Sequence, residues 1–325
     1  LSRRIVVTGG AGFIGRSVVR QLAARGDTVV ALVRDPGNGA FLASPNVELI
    51  ASDLGDVAAL TELLRGADAV VHGAGSYRIG IPAKERPAMW DANVGVTERV
   101  MSAARAAGTP RIAYVSTVNV FGDTHGRVVD ETYRRDLGEG FLSWYDETKF
   151  RAHERVEAEI ATGAPVVILQ PGQVYGPSDH SAVGRLLADA YAGRLRYLAL
   201  TGLGLGMAHV DDTAGGIVTA LDSGRNGEAY VLAGELSTLK DCLALAARLG
   251  GRRLSRLTLP TGLLRAMALV SDRVGGLPGL PASLAETISA SSVSYFASHN
   301  KAAREFGYAP RSLEQGLRDT FSVHS

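Results

Sequence analysis

Through its first 175 residues the chain alternates continuously apolar runs with amphipathic stretches, and that alternation leaves few folds open. The runs Arg4–Thr8, Thr28–Val33, Val47–Ile50, Ala69–His72, Arg111–Ser116 and Pro165–Gln170 are rich in β-branched residues and read as strands. Phe13–Arg25, Val57–Arg65, Met89–Ala107 and Ser143–Ile160 read as helices. A strand that is apolar on both faces needs cover on both, so the expected fold class is α/β, a parallel sheet with helices above and below. Right-handed crossovers make such a sheet doubly wound and gather ligand sites outside the carboxyl ends of the strands. Gly9–Gly15, Arg34, Gly73–Gly75, Thr117 and Gln170–Gln173 all follow strand ends and so should share one edge. Beyond Gly176-Pro177 the alternation loosens into helical segments with glycine-rich breaks such as Thr201–Gly206. The expected division is a sheet domain over 1–175 and a smaller, mixed and mostly helical domain over 176–325, with one or two later segments returning to the sheet.

Strand Arg4–Thr8 runs into Gly9-Gly10-Ala11-Gly12-Phe13-Ile14-Gly15 and then into a helix. Gly10, Gly12 and Gly15 fit G-x-G-x-x-G in the strand-turn-helix setting that a dinucleotide fingerprint requires. The spacing serves a tight turn, a pyrophosphate approaching without a Cβ in its way, and helix amides presented to its charge. Gly9, Gly10, Gly12, Phe13, Ile14 and Gly15 are therefore the expected cofactor loop. The residue closing the second strand selects the cofactor, because a carboxylate there binds the ribose hydroxyls and repels a 2′-phosphate. Here Val33 fills that place and Arg34 follows, as a phosphate site would have it. A charge-assisted hydrogen bond contributes about 1.5 to 3 kcal/mol, a preference of Arg34 for NADP(H) of roughly ten- to a hundredfold. NAD(H) is the alternative, favoured if Asp35 turns inward.

Trp144-Tyr145-Asp146-Glu147-Thr148-Lys149 sets a phenol four residues before one of only four lysines (Lys84, Lys149, Lys240, Lys301), so both point to one helix face. With this pair, the chain carries Thr8–Gly15, Ser52-Asp53-Leu54, His72-Gly73-Ala74-Gly75, Asn93, and Tyr114-Val115-Ser116-Thr117 followed by Val120-Phe121-Gly122. It also carries Pro171-Gly172-Gln173-Val174-Tyr175-Gly176-Pro177 and His209-Val210-Asp211-Asp212. On these residues it resembles the extended short-chain dehydrogenase/reductase family, the NAD-dependent epimerases and dehydratases, over nearly its whole length. The resemblance implies a Rossmann sheet, with Asp53 and Leu54 at the adenine and Gly73, Ala74 and Gly75 near the cofactor backbone. Pro171, Gly172 and Val174 would also contact the cofactor, and Thr117, Tyr145 and Lys149 would form the catalytic set. Tyr145 would then donate a proton to the carbonyl oxygen in reduction and accept one in oxidation. Thr117 would hold the same oxygen, and Lys149 the nicotinamide ribose. Free tyrosine has a pKa near 10, so bringing it to about 7 needs ~4 kcal/mol of preferential phenolate stabilisation from nearby positive charge.

Asn93 interrupts the apolar helix face formed by Met89, Val96, Val100, Ala103 and Ala107, and an amide there needs partners. The resemblance adds it to the catalytic set through a relay reaching Lys149; a buried structural amide is the other reading. Tyr77, Arg78 and Trp144 fall near the expected mouth, and Tyr77, Thr117, Trp144 and Gln173 are the expected substrate contacts. His72 and His209 read as structural, and no histidine pair has metal-ligand spacing.

Departures from the family pattern narrow the reaction. Dehydratases of this family follow the threonine with Asp-Glu, whereas Thr117 is followed by Val118-Asn119. Epimerases usually carry an arginine where Gln170 stands and another shortly before the His-Val motif, where Leu205-Gly206-Met207-Ala208 is uncharged. A sugar diphosphate therefore lacks its clamp. The Val-Arg-Asp-Pro turn is similar to the dihydroflavonol reductase and 3β-hydroxysteroid dehydrogenase branch, and the uncharged 202–208 segment and aliphatic stretch near Leu263 suit an apolar substrate. The expected activity is NADP(H)-dependent interconversion of a carbonyl and an alcohol on a fairly apolar small metabolite. An epimerase that retains NAD and a non-catalytic dinucleotide sensor are the alternatives. Helix pairs in this family commonly build dimers, so a homodimer is possible.

Composition excludes other classes. Lys+Arg 34 against Asp+Glu 33 leaves a formal charge of +1, and no basic run is interleaved with aromatics as a nucleic-acid groove requires. The lone Cys242, in the apolar run Leu239–Leu249, excludes an intramolecular disulfide and reads as a buried thiol in a reducing compartment. Leu263–Val270 is too short to span a membrane and carries Arg265. The first strand begins within three residues of the N-terminus with no signal peptide before it, so the expected location is the cytoplasm.

Overall fold

In β1 (Arg4–Thr8), Ile5 and Val7 face one layer of helices and Val6 the other, all three fully buried. The computed structural model describes residues 2–260 and 283–322, with Gly262, Leu264 and Ala266 between them. The other strands are β2 (Thr28–Val33), β3 (Val47–Ala51), β4 (Ala69–His72), β5 (Ile112–Val115), β6 (Val166–Pro171), β7 (Gln173–Tyr175), β8 (Gly204–His209), β9 (Ala229–Leu232) and β10 (Glu235–Thr238). Seven of them form one parallel sheet in the order β3-β2-β1-β4-β5-β6-β9. The helices are α1 (Phe13–Ala24), α2 (Val57–Leu64), α3 (Arg86–Trp90), α4 (Val96–Ala107), α5 (Trp144–Ala161), α6 (Ala182–Ala192), α7 (Val210–Ser223), α8 (Leu239–Leu249), α9 (Leu284–Ala290), α10 (Asn300–Phe306) and α11 (Leu313–Ser322). Residues of α1, α7 and α10 cover one sheet face, and residues of α2, α4 and α5 the other. The strand order reverses between β1 and β4, the crevice where doubly wound sheets bind ligands.

Two features depart from the sequence expectation, the helix start and the glycine-rich segment, while the return of a later segment to the sheet follows it. The stretch expected as one helix over Met89–Ala107 starts earlier, at Arg86 with Pro87 in its first turn, and a π-helical turn over Asp91–Gly95 separates α3 from α4. The glycine-rich segment expected as a break in a helical domain forms β8, wholly buried, which pairs with β7 in parallel and with β10 antiparallel. Its glycines serve close packing: a Cβ on Gly204 would lie 2.7 Å from the Phe296 ring, and one on Gly206 2.9 Å from Ala233 Cβ. The seventh strand of the main sheet, β9, comes from beyond residue 176, and its outward edge is covered by side chains. Val231 N donates to Glu131 Oε1 at 2.8 Å, and Lys301 Nζ donates to the Ala229 carbonyl at 2.8 Å. The apolar stretch 263–270 lies outside the described residues except for Leu264 and Ala266. Cys242 is buried in α8, and burial pushes its thiol pKa up to about 11.

The start of α5 is fixed by a buried ion pair. Arg135 Nη1 and Nη2 donate to Asp146 Oδ1 and Oδ2 at 2.9 and 3.1 Å, and Leu142 N donates to Oδ2 at 3.0 Å. The guanidinium lies 4.5 Å from the Phe141 ring centre and 5.3 Å from that of Phe150. Arg135→Met keeps the stem but leaves the Asp146 carboxylate buried and unpaired. The expected loss is about 3 to 5 kcal/mol. Guanidinium unfolding should detect it as a clear fall in midpoint, larger than that of Arg65→Met at the exposed Arg65–Glu62 pair.

Candidate active site

At the turn from β1 to α1 the chain makes a cradle that only small residues permit. Gly9 has a φ of +71°, and a Cβ there would lie 2.9 Å from the Ala74 backbone. A methyl on Gly15 would run into the Gly9 carbonyl oxygen. Gly12 is the N-cap of α1 and brings no side-chain cap, and no carboxylate stands in the first turn. The amides around Phe13 and Ile14 thus face an opening suited to an anion, and these residues fit a dinucleotide pyrophosphate. Gly73, Ala74 and Gly75 follow β4 beside this loop: Gly73 N donates to the Thr8 carbonyl at 3.2 Å, and Ala74 N to Thr8 Oγ1 at 3.3 Å.

Beyond β2 and β3 an open cleft of about 380 Å³ is lined by Arg34, Ser52, Asp53 and Asp56 among others. Arg34 is exposed there and makes no hydrogen bond or ion pair within the described residues. Asp35 caps the short 3₁₀ turn that follows, its Oδ1 accepting from Gly37 N at 2.9 Å. Asp53 likewise accepts from Gly55 N at 2.8 Å, and Leu54 takes a left-handed φ of 62° while its carbonyl accepts from Arg99 Nε at 2.8 Å. Pro171 closes β6, Gly172 links it to β7, and Gln173 and Val174 lie in β7, half-buried.

Tyr145 and Lys149 lie one turn apart on α5, whose N-cap Ser143 accepts from Asp146 N at 3.0 Å. Lys149 Nζ donates to the Val115 carbonyl at the end of β5, 3.1 Å away, and stands 5.4 Å from the centre of the Tyr114 ring. Burial lowers its pKa to about 8. Burial, then the neighbouring Tyr77, push the Tyr145 phenol well above the ordinary tyrosine range, and hydrogen bonding with Thr117 only partly opposes them. Tyr77 meets Tyr145 edge-on at 4.8 Å. Thr117 follows β5 and is buried, and its hydroxyl donates to Asn119 Oδ1 at 2.9 Å while accepting from Asn119 N at 3.3 Å.

Asn93 sits in the π-turn with every side-chain atom in use. Its Oδ1 accepts from Ser76 N at 2.7 Å, and its Nδ2 donates to the Ser76 carbonyl at 3.1 Å and to Thr148 Oγ1 at 2.8 Å. Thr148 in turn donates to the Tyr145 carbonyl at 3.0 Å. Asn93 thereby clamps the loop bearing Tyr77 to the helix bearing Tyr145. A second chain runs beneath it. Thr97 donates to the Asn93 carbonyl at 2.7 Å and must therefore accept from His72 Nε2 at 3.1 Å, so His72 Nδ1 accepts from Thr8 at 2.8 Å. Burial, helped by Lys149, lowers the His72 pKa to about 3 and keeps this tautomer neutral.

Trp144 turns toward α3. Its Nε1 donates to the Arg86 carbonyl at 3.0 Å, its ring lies 5.9 Å from that of Trp90, and the Arg86 guanidinium lies over it at 5.3 Å. Ile79, Ile81 and Met89 complete an apolar cluster around Tyr145. Ser76, Asn119 and Thr148 were not among the residues expected from sequence. The alternation of strand and helix carries no signal for them, because their importance comes from what they hold. Among the described residues no cluster of three or more His, Cys, Asp or Glu side chains could hold a metal ion, and no helix is long and apolar enough to cross a membrane.

Comparison with known proteins agrees with this fold. The NAD dependent epimerase/dehydratase family matches residues 5–233, and the chain belongs to that family of NAD(P)-dependent enzymes. A Synechocystis sp. protein described as a dihydroflavonol 4-reductase is 30% identical, the match covering 98% of this chain and 93% of that one. The 2-alkyl-3-oxoalkanoate reductase of Stenotrophomonas maltophilia is 31% identical, with 97% of each chain covered. Among solved structures, gox2253 superposes with a TM-score of 0.85 at 32% identity, over 100% of this chain and 99% of that one.

Asn93→Ala should strip Ser76 N and Thr148 of buried partners. An unpaired buried group costs about 1 to 3 kcal/mol, so thermal or urea unfolding should show a loss of that size.

Proposed function

We propose that this chain uses NADP(H) to interconvert a carbonyl and an alcohol on a fairly apolar small metabolite, with reduction as the favoured direction and Tyr145 as proton donor. The observation that carries this is the state of Tyr145. It lies one turn from Lys149 on α5, whose Nζ is held at the end of β5 by the Val115 carbonyl. Like free tyrosine it is a neutral phenol at physiological pH, the form that can give a proton to a carbonyl oxygen, and burial shifts it further in that direction. A bound reduced nicotinamide supplies the hydride. Thr117 would orient the carbonyl oxygen, Lys149 would hold the cofactor ribose, and Asn93 would keep Tyr77 and α5 in register. Ile79, Ile81, Met89 and Trp144 favour an apolar substrate body. The likeness to a protein named as a 2-alkyl-3-oxoalkanoate reductase supports a carbonyl substrate with aliphatic parts.

Arg34 supports the cofactor choice, since its guanidinium has no partner among the described residues while Asp35 accepts from Gly37 N in its own 3₁₀ cap. The epimerase alternative lacks support in the same region: Gln170 is buried and neutral, and β8 is uncharged until His209. An epimerase would be purified with NAD retained and would convert sugar nucleotides without net turnover of it.

Across a panel of ketones and aldehydes, the protein should oxidise NADPH in a substrate-dependent way. Tyr145→Phe should lower kcat by about two to four orders of magnitude; unchanged activity would refute its role. Arg34→Ala should cut the preference for NADPH over NADH by roughly ten- to a hundredfold, measured as the ratio of dissociation constants by calorimetry.

Lys149 gives a pH signature. Its pKa is lowered to about 8, so it is charged below that pH and neutral above it. Reduction measured as kcat/KM should therefore fall as pH rises through about 8, and Lys149→Met should flatten this limb at a much lower rate.

A further inference from the structure

The catalytic helix is capped from two separate parts of the chain. Ser143 takes the amide of Asp146, and the first amide of α5, that of Trp144, donates to Glu286 Oε1 at 2.6 Å. Glu286 comes from α9, 142 residues further along, and its side chain is only 9% exposed. Its second oxygen is buried without a hydrogen bond and lies 3.7 Å from Arg86 Nη2. The same short segment is tied to the loop beside Tyr77, because Ser283 N donates to the Gly80 carbonyl at 3.2 Å.

We infer that Glu286 is a positioning residue, a latch by which the C-terminal part of the chain sets the first turn of α5 and with it the phenol of Tyr145. Three features support it. A carboxylate at the N-terminus of a helix is favoured by the helix dipole and satisfies an amide that the helix itself cannot. Trp144 immediately precedes Tyr145, so a shift of the first helical amide moves the reacting hydroxyl with it. Arg86 binds both sides of the junction, receiving Trp144 Nε1 on its carbonyl, covering the Trp144 ring with its guanidinium, and facing Glu286. Glu286 touches none of Gly9–Gly15 or Arg34, so the latch acts on the reacting end and not on cofactor affinity. The inference rests on the assignment of Tyr145 as proton donor.

The chain has two tryptophans, Trp90 and Trp144, and both stand at this junction. Intrinsic fluorescence of the full-length protein therefore reads the latch alone, without a substrate. Glu286→Ala should red-shift the emission and raise acrylamide quenching. It should also lower kcat by about tenfold or more for the fastest ketone of the panel, while the NADPH dissociation constant stays within about twofold. Glu286→Gln keeps the acceptor for Trp144 N and should restore both readouts toward wild type. Emission and quenching of Glu286→Ala identical to wild type would overturn the latch, as would a Gln variant indistinguishable from Ala, or a defect confined to NADPH binding. Tyr145→Phe in parallel separates the two failures. If that variant stays active the proton-donor assignment falls, whereas if it is inactive while Glu286→Ala keeps wild-type kcat, only the latch falls.

Discussion

The hydrogen bond from Lys149 Nζ to the Val115 carbonyl joins the two elements on which the site depends. It fixes α5 against the carboxyl end of β5, two residues before Thr117, and brings Thr117, Tyr145 and Lys149, the proposed catalytic set, to the same crevice. That bond exists because the ammonium is buried with few alternatives: a carbonyl at the strand end, the face of Tyr114 and the neutral His72 ring. A cationic histidine there would repel Lys149, and full burial prevents it. The parallel sheet supplies the geometry, since every strand end that matters points to one edge. The polar contacts convert that edge into a defined arrangement.

Those contacts are buried or half-buried and mutually satisfied, which is what makes them specifying. Asn93 spends its oxygen on the Ser76 amide and its nitrogen on Ser76 and Thr148, so the loop bearing Tyr77 cannot drift from the helix bearing Tyr145 without exposing unpaired groups to an apolar interior. The chain Ala74–Thr8–His72–Thr97–Asn93 extends the same logic to the cofactor loop. The π-turn is where the two networks meet, because Asn93 offers its side chain to one and its carbonyl to the other.

The main sheet and the glycine cradle were legible in the sequence because their signals are local. A β-branched run is read over five residues, and a fingerprint over seven. The elements that escaped are those whose cause lies far away. Thr201–Gly206 looked like a break because glycine disfavours strands, and only Phe296 and Ala233 packing on Gly204 and Gly206 explain the strand that starts there. The π-turn differs from an α-helix by one residue's register, and the partners that hold its Asn93, Ser76 and Thr148, lie 17 and 55 residues away. The Tyr-x-x-x-Lys pair was visible as spacing, but nothing in the spacing carries the directions in which burial shifts the two pKa values.

Those directions bear on chemistry together. Burial disfavours charge on both groups, holding Tyr145 as phenol and weakening the proton affinity of Lys149, so the pair by itself does not generate a phenolate. Acting as a base would require positive charge near the phenol beyond what Lys149 provides, and an oxidised nicotinamide would carry such a charge whereas a reduced one would not. The protein's own contribution is thus to favour the neutral phenol: with a neutral neighbour Tyr145 keeps its proton, and only a cationic neighbour makes the phenolate competitive. A site that formed its phenolate without help would already have lost the proton that a donor needs, and the burial of Tyr145 in the Ile81–Met89 cluster disfavours that charge.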